Sequence, residues 1–246
     1  MRIAVAGGTG VLGRHVVDVV GERGHDAVVL ARSTGVDLVT GTGLRAALEG
    51  VDAVVDASNL TASRARATAF FEAAATNLQR YGGEAGVRHV VTVSIVGIDR
   101  APGYGYYAAK LAHEAAATSG PVPASVVRST QFHEFAEMAL AFGKKGPVAV
   151  IPRMRSQPVA ARAVAERLVD VAAGDPLLER LEVAGPEVLM VPDMVRRLLR
   201  ARGTRALVVA VPVPGARKAM ATGALIPDEP YDTRGPTFDA WLAAAR

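Results

Sequence analysis

The 246-residue chain predicts an α/β fold, a doubly wound parallel sheet with helices on both faces and a mixed C-terminal portion. Three observations predict it. Short runs of β-formers alternate with segments of helical periodicity through the first 130 residues, the pattern of repeated βα units. The first apolar run breaks into glycines and then enters a helical pattern. No internal repeat or low-complexity linker divides the chain, so residues 1–246 read as one domain, with a core over 1–130 and mixed segments over 131–246.

Taken in order, residues 2–6 form an apolar strand, and Val11, Leu12, His15, Val16, Val19 and Val20 fall at helical spacing behind the glycines. A second strand covers 26–31, followed by a turn-rich stretch and a short helix near 42–49. Residues 52–56 have the composition of a buried parallel strand. A long helix is expected over roughly 62–81, a strand over 89–94, a helix from Tyr106 to about Ser119 and a strand over 124–128. Beyond 130 the alternation loosens, with helices expected near 132–142, 158–173, 192–202 and 237–245. Strand pieces are expected at 147–151, 181–184 and 207–211. Residues 212–236 are rich in proline and glycine. They suit a surface loop, or a segment covering the ligand side that an open α/β sheet presents beyond its strand ends.

Composition narrows the class. Half the residues are hydrophobic, which supplies a sizeable core. No apolar run approaches the roughly 18 residues of a membrane span. The N-terminal apolar stretch meets glycines too soon for a signal peptide, so a cytoplasmic protein with no membrane partner is expected. The absence of cysteine excludes disulfides, a thiol nucleophile and cysteine ligation of metal. The five histidines are scattered, and no metal site is expected. A net charge of +4 comes from dispersed arginines, densest at Arg196, Arg197, Arg200, Arg202 and Arg205. Without aromatic interleaving that cluster reads as a solvated helix face, and no nucleic-acid partner is expected.

The turn Gly7, Gly8, Thr9, Gly10, Val11, Leu12, Gly13 carries G-x-G-x-x-G at Gly8, Gly10 and Gly13. Between a strand and a helix, that spacing allows a tight turn, close backbone approach to a pyrophosphate, and phosphate binding at the helix N-terminus. At the end of the second strand stand Arg32 and Ser33, where an NAD-preferring chain would carry an acidic residue. A guanidinium with a hydroxyl suits a 2′-phosphate, so NADP (NADPH) is expected over NAD. Asp37 suits an adenine contact or a turn.

Tyr106 stands four residues before Lys110, which places both on one helix face. An ammonium near a phenol stabilises the phenolate, and such a tyrosine can give or take a proton while hydride moves at a carbonyl. Ser94, at the carboxyl end of its strand and twelve residues before Tyr106, can polarise a substrate carbonyl or satisfy the strand end. Gln131, His133 and Glu134 follow the fifth strand and are expected near the nicotinamide or substrate. His133 could titrate near neutrality, although a plain hydrogen-bonding role is the commoner fate of a loop histidine. Phe132, Phe135, Met138 and Phe142 lie at helical spacing; core is the first expectation, with a pocket wall or a homodimer face as the others.

Together the glycine turn, Ser94 to Gly97 and the Tyr106–Lys110 pair resemble the short-chain dehydrogenase/reductase superfamily. The glycine spacing, Gly185-Pro186-Glu187 and the stretch from Arg128 to Glu134 are similar to its NmrA-like branch. The resemblance covers essentially the whole chain. It implies that Tyr106 is the acid/base, that Lys110 binds the nicotinamide ribose and tunes Tyr106, and that Ser94 orients substrate. It also implies that Ala57, Ser58 and Asn59 line the adenosine side of the cofactor. The expected activity is NADPH-dependent reduction of a small carbonyl or quinone-like substrate. The alternatives are an NADP-binding redox-sensing regulator without catalysis, and an epimerase or dehydratase on the same fold.

Overall fold

A computed structural model describes residues 1–244 of the chain. These fall into two compact units. The first comprises Met1–Ser94, Gly105–Arg128 and Val164–Leu181; the second comprises Ile95–Tyr104, Ser129–Ala163 and the chain from Glu182 onward. In chain order the elements begin β1 (Arg2–Ala6), α1 (Val11–Glu22), β2 (Asp26–Leu30), α2 (Leu44–Ala47), β3 (Ala53–Asp56), α3 (Arg64–Ala85), β4 (His89–Ile95), α4 (Gly105–Thr118) and β5 (Ala124–Ser129). They continue α5 (Phe135–Gly143), β6 (Lys144–Lys145), β7 (Val148–Pro152), β8 (Arg155–Ser156), α6 (Ala161–Ala173), β9 (Leu181–Ala184) and β10 (Leu189–Met190). The last are α7 (Val191–Ala201), β11 (Leu207–Val211), α8 (Arg217–Thr222), β12 (Asp232–Thr233) and α9 (Phe238–Ala244). Residue 245, where the last helix was expected to end, lies outside the described residues.

The first unit carries the doubly wound sheet, with strands in the order β5-β4-β3-β1-β2. Parallel registers join Arg2 to Asp26, Ile3 to Ala53 and Ala53 to His89. Ile3, Ala4, Val5 and Ala6 are fully buried, as are Ala53, Val54 and Val55. Such continuous apolar runs are what a parallel strand covered on both faces requires. Chain order reverses between β1 and β3, so the crevice beyond the carboxyl ends of these two strands is the topological switch point where α/β sheets hold ligands. α3 packs Ala67, Phe71, Ala74, Ala75 and Leu78 inward. It runs four residues past the expected end at 81. Gly82 and Gly83 let the helix lie against Val87, Pro121 and Val122, and it ends at Gly86 in the left-handed conformation.

In the second unit β11, β7 and β6 form one small sheet, β10 pairs with β8, and β12 pairs in parallel with β9. α5 starts at Phe135 rather than 132, and α6 at Ala161 rather than 158. The intervening backbone is committed elsewhere: Phe132 and Val159 form a parallel bridge, His133 N–H donates to the Val159 carbonyl, and Val159 N–H donates to that of Gln131. The proline- and glycine-rich stretch 212–236 holds α8 and β12, neither of which its composition announces. Met138 and Phe142 are 48% and 82% exposed, which corrects their expected core placement; α5 buries Ala136, Ala139 and Leu140 instead. The arginine-rich face of α7 is ion-paired, Arg196 with Asp193 (2.7 Å) and Arg197 with Asp239 (3.0 Å). No helix among the described residues is long and apolar enough to cross a membrane.

Candidate active site

The glycine turn lies at the carboxyl end of β1, and two of its positions admit no side chain. Gly7 has φ +72°, and a Cβ there would lie 2.9 Å from both the Ala57 carbonyl oxygen and Ser58 Cα, at the end of β3. A Cβ at Gly13 would sit inside the Gly7 carbonyl oxygen and 2.8 Å from Gly8 Cα. Helix α1 is thereby pressed against the turn. Gly10 is its N-cap and makes no side-chain capping bond, and the first helical turn carries no acidic residue. The orphan amide donors of that turn and the positive helix end therefore face outward beside exposed Thr9, Gly10 and Val11, while Leu12 packs inward. This cradle fits a dinucleotide pyrophosphate.

Beyond β2, Arg32 and Ser33 are exposed on a 3-10 turn held by the Thr34 hydroxyl, which donates to the carbonyls of Ala31 (2.8 Å) and Val29 (2.9 Å). Asp37 is tied into its own loop. The backbone amides of Thr40 and Val39 donate to its carboxylate and hold its pKa below the usual carboxylate value. Asp37 therefore serves as a turn residue.

Beyond β3 the three residues expected on the adenosine side diverge. Ala57 backs the glycine turn. Ser58 N–H donates to Asp56 Oδ1 at 2.9 Å, while its hydroxyl is buried without a hydrogen-bond partner among the described residues. Asn59 is exposed, and its Oδ1 accepts a 2.7 Å bond from the Tyr106 hydroxyl. The structure thus sets Asn59 against the candidate acid/base.

Tyr106 and Lys110 lie one turn apart on α4 with the ring of Phe71 beneath them. The Phe71 centroid is 6.3 Å from that of Tyr106, and Lys110 Nζ lies 4.7 Å above it. His113 stacks on the same ring at 4.8 Å. Lys110 is buried; its Nζ donates to the Val93 carbonyl (2.7 Å) and bonds His113 Nδ1 (2.8 Å), while His113 Nε2 meets Asp56 Oδ2 at 2.8 Å. Burial pushes the Lys110 pKa down to about 8 against the opposing pull of Asp56 and Glu114. Burial opposes ionisation of Asp56, but its interaction with His113, the Ser58 hydrogen bond and the nearby Lys110 charge leave its pKa below the usual carboxylate value. Ser94 is buried at the end of β4, and its hydroxyl has no partner among the described residues. Such a group is available to a ligand atom or an ordered water.

Phe71, His113 and Asp56 were missed by sequence reasoning. A signal for two of them is present: His113 follows Lys110 by three residues, hence on the same helix face, and Asp56 ends a strand beside the switch point. His133 is buried in the second unit and has the plain hydrogen-bonding role that is the commoner fate of a loop histidine. Its Nε2 donates to the Pro236 carbonyl at 3.1 Å, and its ring packs on Phe238 and Trp241 at 5.3 and 5.6 Å. Glu134 is the residue before α5, and its carboxylate accepts from Ala161 N–H at 3.3 Å. No group of three or more His, Asp or Glu among the described residues could hold a metal ion.

A glycine turn at a topological switch point, a free helix N-terminus and a Tyr-x-x-x-Lys pair on α4 define a Rossmann-like α/β protein. Residues 3–121 match the model of the NAD dependent epimerase/dehydratase family. The fold is shared with UDP-N-acetylglucosamine 4-epimerase from Bacillus cereus (TM-score 0.72, 18% identity, covering 99% of this chain and 94% of that one). It is equally shared with a short-chain dehydrogenase/reductase superfamily protein from Agrobacterium tumefaciens with bound NAD (TM-score 0.72, 17% identity, 100% and 96% covered). A third similar structure is MoeE5 in complex with UDP-glucose and NAD (TM-score 0.72, 16% identity, 99% and 96% covered). No curated protein matches the chain significantly in sequence.

Proposed function

We propose that the chain is a nicotinamide-dinucleotide-dependent oxidoreductase that reduces a small carbonyl or quinone-like substrate with NADPH. The observation that carries this reading is the conjunction, within one unit, of a phosphate-fitting glycine cradle with a tyrosine–lysine pair on one helix face. Gly7, Gly8, Thr9, Gly10, Val11, Leu12 and Gly13 would hold the pyrophosphate, and Arg32 with Ser33 the 2′-phosphate. Lys110 would hold the nicotinamide ribose. When bound, the cofactor supplies or accepts hydride at the reacting carbon.

The rest of the chemistry belongs to the chain. The Tyr106 hydroxyl delivers its proton to the substrate oxygen as charge develops there, and takes it back in the reverse direction. Asn59 holds that hydroxyl in one orientation before substrate arrives, and must release it when the proton moves. The Lys110 ammonium favours the phenolate that results. Ser94 offers an unengaged hydroxyl for the substrate oxygen. The narrower placement in the NmrA-like branch rests on Gly185-Pro186-Glu187 and the Arg128 to Glu134 stretch.

A second reading, an epimerase or dehydratase with retained cofactor, is favoured by the family match over residues 3–121. It uses the same residues and differs in the fate of the cofactor. Stopped assays decide between them: a reductase consumes NADPH one-for-one with product, whereas an epimerase or dehydratase turns over substrate with the cofactor unchanged. A chain that binds NADPH tightly but turns over neither class of substrate would instead be a redox-sensing regulator.

A further inference from the structure

The hydrogen bonds around Lys110 form a continuous chain through the interior of the first unit: Val93 carbonyl, Lys110, His113, Asp56, Ser58 N–H. Its polarity is fixed by chemistry. An ammonium has only donors, so His113 Nδ1 accepts from Lys110; the neutral imidazole then carries its proton on Nε2, which donates to the Asp56 carboxylate. The charge of the trio sums to zero, with the neutral ring separating cation from anion. All three side chains are 4% exposed or less. Replacing such a trio with apolar groups of similar volume is commonly neutral or stabilising, so stability alone is a weak reason to build it.

We propose that His113 and Asp56 are positioning residues for Lys110: they fix its amine beneath the nicotinamide ribose position and keep it charged, coupling the carboxyl end of β3 to the acid/base helix. The proposal rests on the function proposed above for what Lys110 does, but the coupling itself is a property of the protein alone. Other ionisable groups near the chain are engaged. Glu114 on α4 takes a two-point bond from Arg128 on β5 (2.8 and 2.9 Å), with Arg180 3.9 Å away. On β4, His89 lies at the far end, bonded to Ser125 Oγ at 2.7 Å. The buried face of α3 offers Phe71, Ala67 and Ala74 and no ionisable side chain. Tyr106 and buried Tyr107, one turn earlier on α4, are the tyrosines that precede Lys110 on that helix. Asp56 and Glu114 are therefore the carboxylates that favour the charged amine, and burial, which pulls its pKa to about 8, is what they oppose.

The test follows the Lys110 amine and the His113 ring by NMR in protein labelled with 15N at lysine and histidine, without cofactor, alongside NADPH affinity as a function of pH. In wild type the ring should show the Nε2–H tautomer and the amine should titrate near pH 8. NADPH affinity should fall about fivefold between pH 8 and 9 as the ammonium is lost. Asp56→Asn should move both transitions to lower pH, His113→Leu likewise, and His113→Gln, which keeps an acceptor and a donor, should restore them. A lysine that titrates at its ordinary value, a Nδ1–H tautomer, or an unmoved amine in folded Asp56→Asn protein would overturn the inference. The tautomer and amine titration are read on wild type, so the proposal stays falsifiable if a variant fails to fold. If the amine behaves as expected but NADPH does not bind, the coupling stands and the proposed function falls.

Discussion

At the scale of single residues, Tyr106 and Arg32 carry the two claims that are easiest to separate. Tyr106→Phe removes the proton that Asn59 now holds and should lower turnover by about 100- to 10,000-fold, with NADPH affinity nearly intact. Equal turnover in the two proteins would remove Tyr106 from the mechanism. Arg32 is exposed on a turn that Thr34, not Arg32, stabilises, so Arg32→Ala should fold normally. It should weaken NADPH about 10- to 100-fold, the worth of a charge-assisted hydrogen bond, and leave NADH unchanged. An unaltered NADPH/NADH ratio in parallel titrations would show that another group reads the 2′-phosphate. Both residues are legible in the sequence, because each is defined by spacing from a local landmark. Phe71 is not: its role arises from ring contacts with Tyr106 and His113, up to 42 positions away, which no periodicity encodes.

At the scale of elements, the β1–turn–α1 unit holds the strongest local constraint. Gly13 lies where any Cβ would strike the Gly7 carbonyl. Gly13→Ala should push α1 away from the turn, cost about 1–3 kcal/mol of stability as overpacking, and reduce dinucleotide affinity in calorimetry. Retention of both would mean that the turn relaxes freely and the cradle is not preorganised. The βα elements of the first unit are legible because apolar strands and amphipathic helices differ in period. Boundaries shifted where long-range pairing intervened, as when the Phe132–Val159 bridge delayed both α5 and α6. In α3, which runs past its expected end at 81, Gly82 and Gly83 serve close packing against Val87, Pro121 and Val122.

At the scale of the whole molecule, stability should depend on acid. Burial lowers the pKa of His89, His113 and His133 from the ordinary value, so all three stay neutral in the folded chain where the unfolded chain takes up protons. Their contribution is complete above pH 6.5 and is lost as pH falls below it toward the folded-state values. The slope is at most about 1.4 kcal/mol per pH unit for each histidine. Denaturant midpoints should therefore decline between pH 7 and 5; a flat profile would mean that these rings become charged inside the fold without penalty. The doubly wound architecture was readable from the alternation in the first half. Later in the chain the longer strands β7, β9 and β11 were readable at 147–151, 181–184 and 207–211, whereas β6, β8, β10 and β12 were not, because two-residue strands carry no pattern of their own.

The most direct test of the central claim, that the first unit is built to hold a nicotinamide dinucleotide phosphate, is a calorimetric titration of the purified protein with NADPH and with NADH. One-to-one binding is expected, with NADPH about 10- to 100-fold tighter, the worth of the Arg32 contact. Binding of neither nucleotide would contradict the account at its root, since the cradle, the switch point and the tyrosine–lysine pair would then share a site with no cofactor to serve.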